Sequence, residues 1–379
     1  MKNIRLVATA AMGLEAIVAK ELRTLGYEVE VENGKVFFTA SPAAIPRCNL
    51  WLRSADRLKV VVGQFQATSF DELFEKTKAL PWEKFISEDG AFPVSGKSHK
   101  SKLYSVPDCQ AIVKKAMVDR LKNKHGVANR LTETGAQSKI EVAIVKDQVT
   151  LTMDTSGEGL HKRGYRVGQG EAPLKETLAA ALLLLTNWRP HEPLLDPFCG
   201  SGTIPIEAAM IGQNIAPGFN RSFDAEEWGW ISQKMWDDAF EEAEEMANYD
   251  QPLHIYGSDI DHKMIEISKQ NAMEAGFADL ISFKQMQVSD ISIKDQVNGY
   301  IVSNPPYGER IGDKDVVAKA YQDLGSIMKE HPSWSVYMLT SMKSFETHYG
   351  KKVTKKRKLF NGFIETDYYQ YFGKKEKNV

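Results

Sequence analysis

The sequence predicts an α/β protein in which a smaller N-terminal α+β region precedes a parallel sheet that ends in an antiparallel hairpin. Beyond residue 174, short apolar runs alternate with helical patterns, which is typical of a parallel sheet with helices on both faces. Before residue 156, strands and helices follow one another in the order of small antiparallel units. Near the C-terminus, Asn361-Gly362 indicates a hairpin over 358–372 at the sheet edge.

The first 55 residues predict a small α+β unit. An apolar strand precedes a helix that Gly26 ends, and Asn33-Gly34 favours a tight turn between two further strands. The expected elements are a strand over 4–10, a helix over 13–25, and strands over 27–31 and 35–39. This order is that of a ferredoxin-like region. A helix near 43–53 opens the next α+β stretch.

A second α+β region is expected over 56–156, and a larger region over 157–379. The second region is predicted to contain a strand over 58–66, helices over 70–80 and 107–124, and strands over 140–145 and 149–153. The glycine-rich, basic stretch over 157–170 indicates a linker or an ordered loop between the regions.

The third region carries the alternating pattern. The predicted helices cover 174–188, 204–211, 263–275 and 316–329, and the predicted strands cover 193–197, 254–259, 281–285, 299–303 and 335–341. The Trp-rich and Glu-rich stretch over 219–248 predicts one acidic amphipathic helix, and the rest of it is unassigned.

The composition predicts a soluble, cytoplasmic globular protein. Of the 379 residues, 42% are hydrophobic and 26% charged, and the longest apolar run, 178–185, is far shorter than the roughly 18 residues that a membrane span needs. The N-terminus predicts a strand and then a helix rather than a signal peptide. Cys48, Cys109 and Cys199 lie far apart without metal-ligand spacing, so we expect no metal site and no disulfide framework.

The charge is unevenly spread. Residues 1–160 hold 23 Lys and Arg against 19 Asp and Glu, a net charge of +4, whereas the remainder has a net charge of -6. Two basic clusters follow from the sequence, one over 97–124 and one over 351–358. The first either contacts nucleic-acid phosphates or is a solvated helix face, and the second either contacts the RNA strand or keeps an exposed sheet edge soluble.

The sequence LLDPFCGSGTIPIEAA predicts a cofactor-binding turn. An apolar strand delivers Asp196, and a loop with Gly200 and Gly202 then enters a helix. Ligands of open parallel sheets bind beyond the carboxyl ends of the strands, and glycines let the backbone approach them closely. The negative Asp196 disfavours a pyrophosphate and favours a methionine-type sulfonium with its amino group. The alternative is an ordinary strand-to-helix turn.

Two further acids follow later strands. Asp259 in GSDID stands where a carboxylate can accept hydrogen bonds from both hydroxyls of a ribose, although its spacing from the glycine loop is longer than the usual ~20 residues. The insertion over 219–248 explains that spacing. Asp290 stands where it could accept from an adenine amino group, and the equally plausible alternative is a solvated loop acid.

The run Asn304-Pro305-Pro306-Tyr307 follows the apolar strand YIVS. Two successive prolines end the strand and stiffen the loop, which aims the Pro305 carbonyl and the Asn304 amide at one spot. Both groups can accept hydrogen bonds from an amino group, and Tyr307 offers a face for a base drawn out of its stack. The alternative is an ordinary proline-rich turn.

DPFCGSGT, GSDID and SNPPYGER, in this order, resemble the amino-methyltransferase class of Rossmann-like S-adenosylmethionine enzymes. HKRGYR before APLKETLAAALL, and GER after NPPY, are more narrowly similar to THUMP-domain RNA methyltransferases of the RlmL and YpsC type. The resemblance spans essentially the whole chain. It implies a THUMP RNA-binding domain over 56–156 and a Rossmann-like S-adenosylmethionine-dependent methyltransferase domain over 157–379. Larger members of the family carry a second catalytic domain, for which this chain has no room.

The resemblance also implies roles for individual residues. It implies that the target amine is held by Asn304, Pro305, Pro306 and Tyr307. It implies that S-adenosyl-L-methionine is held by Asp196, Pro197, Cys199, Gly200, Gly202, Thr203, Asp259, Ile260, Asp290 and Asn304, with Lys175 and Thr177 flanking the methionine part.

The function expected from the resemblance is methylation of the exocyclic N2 amino group of a guanosine in 23S ribosomal RNA, with large-subunit ribosomal RNA as the partner and no membrane or metal. A tRNA guanine-N2 methyltransferase and an adenine-N6 methyltransferase acting on DNA or RNA remain alternatives within the class. An RNA-binding assembly factor with a vestigial pocket is the alternative outside it.

Overall fold

The computed structural model describes residues 3–168, 170, 173–307 and 313–376. The chain divides into two compact units. The first comprises residues 1–10, 18–160 and 221–243, and the second comprises residues 11–17, 161–220 and 244–379. The first unit therefore takes in a segment that the sequence places inside the C-terminal region.

Helices and strands of the first unit follow the predicted order closely. They are β1 Ile4–Thr9, α1 Glu15–Thr24, β2 Val29–Glu32, β3 Lys35–Ala40, α2 Ala44–Trp51, β4 Arg57–Gln66, α3 Phe70–Lys78, β5 Val94–His99, α4 Val106–His125, β6 Ile140–Val145 and β7 Gln148–Asp154.

One seven-stranded sheet, in the order β2-β3-β1-β4-β7-β6-β5, runs through this unit. The β1-α1-β2-β3-α2-β4 part has the predicted ferredoxin-like arrangement, because β1 lies antiparallel between β3 and β4. β4 also pairs antiparallel with β7, so it joins both halves of the sheet. The turn between β6 and β7 lies at Lys146 and Asp147, which take positive φ values of 52° and 63°.

The Trp-rich insertion packs within the first unit. Trp228 is buried and donates its indole N–H to the carbonyl of Gln137 at 3.0 Å. Trp236 is buried and stacks on Phe223, with 5.6 Å between ring centroids. These contacts assign a structural role to a segment whose helix alone was predicted from the sequence, and that helix is α7, Gln233–Met246.

The second unit contains the alternating elements predicted beyond residue 174. They are α5 Glu176–Leu184, β8 Leu194–Asp196, α6 Thr203–Gly212, β9 Ile255–Asp259, α8 His262–Glu274, β10 Ile281–Gln285, β11 Tyr300–Ser303, α9 Asp313–Glu330, β12 Ser335–Thr340, α10 Phe345–Tyr349, β13 Lys355–Asn361 and β14 Ile364–Tyr371.

These strands form a second seven-stranded sheet in the order β10-β9-β8-β11-β12-β14-β13. The first five in that order are parallel, whereas β14 and β13 are antiparallel, which confirms the predicted edge hairpin. Large apolar side chains cover both faces of the sheet, in one cluster around Leu194 and Val302 and another around Ile301 and Tyr321. The strand order reverses between β8 and β11, so a ligand crevice is expected beyond their carboxyl ends.

The edge strand β5 and the short helix α10 were not predicted. The glycine-rich stretch after residue 156 is an ordered loop rather than a free linker in its described part, because Arg163 and Tyr165 are buried there. None of the helices in the described ranges is both long and apolar enough to cross a membrane.

Candidate active site

A cavity of about 600 Å³ opens beyond the carboxyl ends of β8 and β11, at the reversal point of the second sheet. Its lining includes the glycine turn that follows Asp196 and the run that begins at Asn304, two segments that follow neighbouring parallel strands. The sequence-predicted residues that line it are Asp196, Pro197, Cys199, Gly200, Thr203, Asp259, Ile260, Asn304, Pro305, Pro306 and Tyr307. The fold therefore brings the predicted cofactor turn and the predicted target corner to one cavity.

Asp196 ends β8 and is almost completely buried at the cavity wall. Its Oδ1 accepts hydrogen bonds from the Ser303 hydroxyl and from the Phe198 amide, the latter at 3.1 Å. Burial raises the pKa of Asp196 to about 7, even though both hydrogen bonds act in the opposite direction. In the free site this carboxyl is therefore poised between its neutral and charged forms near neutral pH.

The two glycines of the turn have different reasons to be glycine. Gly200 takes a φ of +51°, lines the cavity, and has open space where a Cβ would stand. Gly202 takes a φ of +83°, and a Cβ there would lie 2.9 Å from the Cβ of Ser268 and 3.1 Å from the Phe283 ring. Close approach to a ligand therefore concerns Gly200, whereas Gly202 lets α6 pack against α8 and β10.

Arg166 holds the glycine turn from behind, a role that the sequence reasoning missed. Its guanidinium donates to the hydroxyls of Ser201 at 3.0 Å and Thr203 at 2.9 Å. It also pairs with the nearly buried Glu176 at 2.7 Å. Arg166 ends the HKRGYR motif, and an arginine so close to the glycine turn and its helix was the available signal.

Asn271 holds the same turn from α8. Its side-chain amide donates to the Ser201 carbonyl at 2.9 Å and to the Gly168 carbonyl at 3.0 Å, and the residue is fully buried. The available signal was a polar side chain on the buried face of a helix that also buries Ile265 and Ala272. A buried amide of this kind has to be hydrogen-bonded, so it marks a specific contact.

Asp259 ends β9 and faces the same cavity. One carboxylate oxygen accepts from the Gly200 amide at 3.0 Å and the other accepts from the Asp261 amide at 3.0 Å. Each oxygen keeps a further lone pair for a ligand hydroxyl. Burial raises the pKa of Asp259, and the two backbone amides partly offset that rise.

The target corner, Asn304–Tyr307, is held in place by hydrogen bonds that involve its own side chains. The Tyr307 hydroxyl donates to Asn304 Oδ1 at 2.6 Å, which leaves that oxygen one further lone pair. The Asn361 side chain on β13 donates to the Tyr307 hydroxyl at 3.1 Å. Tyr321 donates to the Pro306 carbonyl at 3.4 Å. The amide of Asn304 is therefore oriented through Tyr307 and the edge hairpin.

Four of the predicted cofactor residues do not line the cavity. Asp290 is exposed in a single 3-10 turn, where its nearby Val288 lines the wall instead. Lys175 is exposed at the start of α5, and Thr177 is buried within α5. Gly202 is the fourth, for the packing reason given above. Among the described residues, no group of three or more His, Cys, Asp or Glu side chains is arranged to hold a metal ion.

Family models account for most of the chain. One described as an RMKL-like methyltransferase domain matches residues 163–370. The chain belongs to this methyltransferase family. Two more match the N-terminal part, an RlmL ferredoxin-like domain at residues 5–59 and a THUMP domain at residues 67–154. The suspected family is thereby confirmed.

Two relatives illustrate the range of the family. YpsC of Bacillus subtilis (strain 168) is 62% identical over 375 residues, which are 99% of this chain and 97% of the relative. A ribosomal RNA large subunit methyltransferase K/L of Shewanella baltica (strain OS195) is 35% identical over 365 residues, 94% of this chain. The chain spans about half the length of that second relative, 51%.

Two crystal structures share the fold along essentially the whole chain. One, from Listeria monocytogenes and described as an N6-adenine-specific DNA methylase, is 62% identical with a TM-score of 0.95 and covers 99% of this chain and 97% of its own. The other, a methyltransferase complexed with SAH, is 47% identical with a TM-score of 0.95 and covers both chains completely.

The residues of the cavity fit S-adenosylmethionine as a cofactor. Two carboxyls of the cavity lining, the buried Asp196 and the partly buried Asp259, keep acceptor capacity, which suits an ammonium or sulfonium cation and a ribose diol. The open space at Gly200 lets a ligand approach the backbone closely.

Proposed function

We propose that this chain transfers a methyl group from S-adenosylmethionine to the exocyclic N2 amino group of a guanosine in 23S ribosomal RNA. The observation that carries the proposal is that the turn after Asp196 and the run Asn304–Tyr307 line the same cavity. Donor and acceptor groups of such a transfer have to meet within one enclosed space.

The protein's part in the reaction is to bind, orient and shield. When bound, S-adenosylmethionine supplies an electrophilic methyl group. Asn304 Oδ1, with its free lone pair, accepts a hydrogen bond from the target amino group, and the Pro305 carbonyl accepts a second. These contacts hold the nitrogen lone pair toward the donor side of the cavity, while the Tyr307 ring supports the base. Asp196 and Asp259 position the donor, with Asp196 near the cation and Asp259 at the ribose.

RNA as the substrate class is supported by the N-terminal half. A THUMP domain model matches residues 67–154, and the names of the Bacillus and Shewanella relatives describe RNA methyltransferases. The Shewanella relative's name further specifies large-subunit ribosomal RNA. We also propose that the chain divides at residues 55 and 156 into ferredoxin-like, THUMP and methyltransferase domains.

An adenine-N6 methyltransferase is the second candidate. The description of the Listeria structure as an N6-adenine-specific DNA methylase favours it. The Asn304–Tyr307 corner offers acceptors to any exocyclic amino group, so its geometry alone suits either base.

Nucleoside mass spectrometry separates these functions. Ribosomal RNA and tRNA are purified from a strain that lacks the gene, and from the same strain complemented with the wild-type chain or with Asn304→Ala. We expect N2-methylguanosine to fall in 23S ribosomal RNA and to return with the wild type but not with Asn304→Ala.

Other patterns point elsewhere. Unchanged ribosomal N2-methylguanosine together with a loss in tRNA would make tRNA the substrate. A loss of N6-methyladenosine from RNA or DNA would make adenine the methylated base. Full complementation of the growth phenotype by Asn304→Ala would favour the assembly-factor alternative, since that variant leaves the N-terminal unit intact.

A further inference from the structure

The edge hairpin reaches the target corner with its turn. β13 and β14 pair from Lys355 with Gln370 to Asn361 with Ile364, so Gly362 and Phe363 form a two-residue turn. Gly362 takes a φ of +61° at the first turn position, where a tight hairpin favours glycine. Asn361 and Ile364, on either side of the turn, both line the cavity.

The turn is fixed in place relative to the residues that would hold the target base. Asn361 Nδ2 donates to the Tyr307 hydroxyl at 3.1 Å, and that hydroxyl donates to Asn304 Oδ1 at 2.6 Å. The backbone of the turn, two residues from Asn361, therefore lies beside residues that line the cavity.

That side chain is Phe363, and it is fully exposed to solvent. Nothing in the turn geometry asks for an aromatic ring, since the second position of such a turn favours small polar residues. An isolated exposed apolar residue is common on protein surfaces. At this place, however, the ring stands beside the cavity that Asn361 and Ile364 line.

The strand that leads to the turn carries positive charge. It holds Lys355, Lys356, Arg357 and Lys358, with Lys351 and Lys352 shortly before it. Lys358 pairs with Glu365 at 2.6 Å, and Lys356 lies 3.6 Å from Asp367. In the part of the chain that the structure describes, Lys351, Lys352 and Lys355 have no carboxylate partner. An exposed aromatic ring at the end of a basic strand is the combination that holds single-stranded nucleic acid.

We propose that Phe363 stacks on the base next to the methylated nucleotide, on single-stranded RNA whose phosphates follow the basic strand β13. This deepens the proposed function and rests on it for the identity of the neighbouring nucleotide. The stack holds the strand at the rim while the target base lies at Tyr307. Stacking of this kind tolerates any base, because every base has an aromatic face.

Two RNA probes of equal length test the stack directly. Fluorescence anisotropy measures binding of the full-length chain to a labelled mixed-sequence single-stranded RNA ten-mer and to an abasic strand with the same backbone. The variants are Phe363→Ala, Phe363→Tyr, and Met273→Ala as a matched control. Met273 is an exposed apolar residue on α8 that does not line the cavity.

We expect Phe363→Ala to weaken binding of the ten-mer about fivefold or more, as loss of one base–aromatic stack does. Phe363→Tyr and Met273→Ala should bind as the wild type does, and the abasic strand should bind all four chains alike. Equal affinity of Phe363→Ala and wild type for the ten-mer overturns the proposal. An equal loss on both strands overturns it as well, because the ring would then act through the backbone or the fold.

A methyl-transfer assay on 23S ribosomal RNA from the deletion strain separates this proposal from the proposed function. We expect Phe363→Ala to raise KM with a smaller change in kcat. Failure of the wild type to methylate that RNA would count against the ribosomal target, while the two-probe binding comparison would still decide the role of Phe363.

Discussion

Two parts of the cavity lining are held in different ways. They are the glycine turn after Asp196, here the donor wall, and the run Asn304–Tyr307, here the acceptor wall. The glycine turn is fixed by the partly buried Arg166 and Asp259 and by the buried Asn271, which come from three separate parts of the second unit. The Asn304 corner is fixed by a chain of partly buried side chains that ends on the edge hairpin. The donor wall is thus held from several elements at once, whereas the acceptor wall depends on one hairpin at the edge of the sheet. We expect target specificity to change at that hairpin with less disturbance of the fold.

Asn304→Ala should have the largest effect and should strike only the acceptor wall. Removing one oriented acceptor from a reacting centre typically lowers kcat by about 10²- to 10³-fold. Cofactor affinity, measured by isothermal titration calorimetry, should remain close to that of the wild type. A parallel loss of cofactor binding would mean that the two walls are not separable.

Gly200→Ala and Gly202→Ala form a matched pair on the donor wall. Each substitution should lower the free energy of unfolding by roughly 1–2 kcal/mol, because an L-residue is strained at positive φ. Only Gly202→Ala also drives a Cβ into Ser268 and Phe283, so it should lower the free energy of unfolding by a further ~1–3 kcal/mol. Gly200→Ala should instead weaken cofactor binding, by about tenfold. Chemical denaturation measures the stability of both variants, and calorimetry measures their cofactor affinity. The assignments are wrong if Gly200→Ala loses more stability and Gly202→Ala loses more cofactor affinity.

The pH dependence of cofactor binding should report the ionisation of Asp196 in the donor wall. Because burial raises the pKa of Asp196 to about 7, the free carboxyl is mainly neutral below pH 7 and charged above it. A cationic ligand prefers the charged form and lowers that pKa, so binding releases a proton below pH 7. Affinity should therefore rise up to about tenfold per pH unit toward pH 7 and level off near pH 8. Calorimetry at pH 6 and pH 8 measures the change, and Asp196→Asn should abolish it.

Asn361→Ala should have the smallest effect and should again touch only the acceptor wall. It removes the hydrogen bond to the Tyr307 hydroxyl, a contact worth about 1 kcal/mol, so kcat should fall about fivefold. Steady-state methyl-transfer kinetics measure the fall. Cofactor affinity should not change. A turnover equal to that of the wild type would show that the hairpin does not position Asn304.

Much of the architecture could be predicted because its local signals agree with its tertiary contacts. The hairpin near Asn361 combines turn residues with two strands that pair directly across the turn. Strand β5 could not be predicted, since Val94–His99 is largely polar, contains Gly96 and is a strand only through its pairing with β6. Its stability comes from a partner that is more than 40 residues away, which no local pattern reports.

The site divides in the same manner. Asp196 ends one apolar strand and Asn304 follows another, and both line the cavity because these strands are parallel neighbours. Arg166 and Asn271 act through contacts 35 and 70 residues along the chain, on the Ser201 hydroxyl and carbonyl respectively. Asp290 also follows a strand, yet its 3-10 turn leaves the side chain exposed while Val288 lines the cavity. Position after a strand therefore predicts proximity to the site but not the direction of a side chain.

The most direct test is a crystal structure of the protein with S-adenosylmethionine bound. The account predicts that the ribose hydroxyls contact Asp259, that the cation lies by Asp196, and that the methyl group faces Asn304 across the cavity. A cofactor seated away from Asp259, or one whose methyl group points away from Asn304, would contradict it.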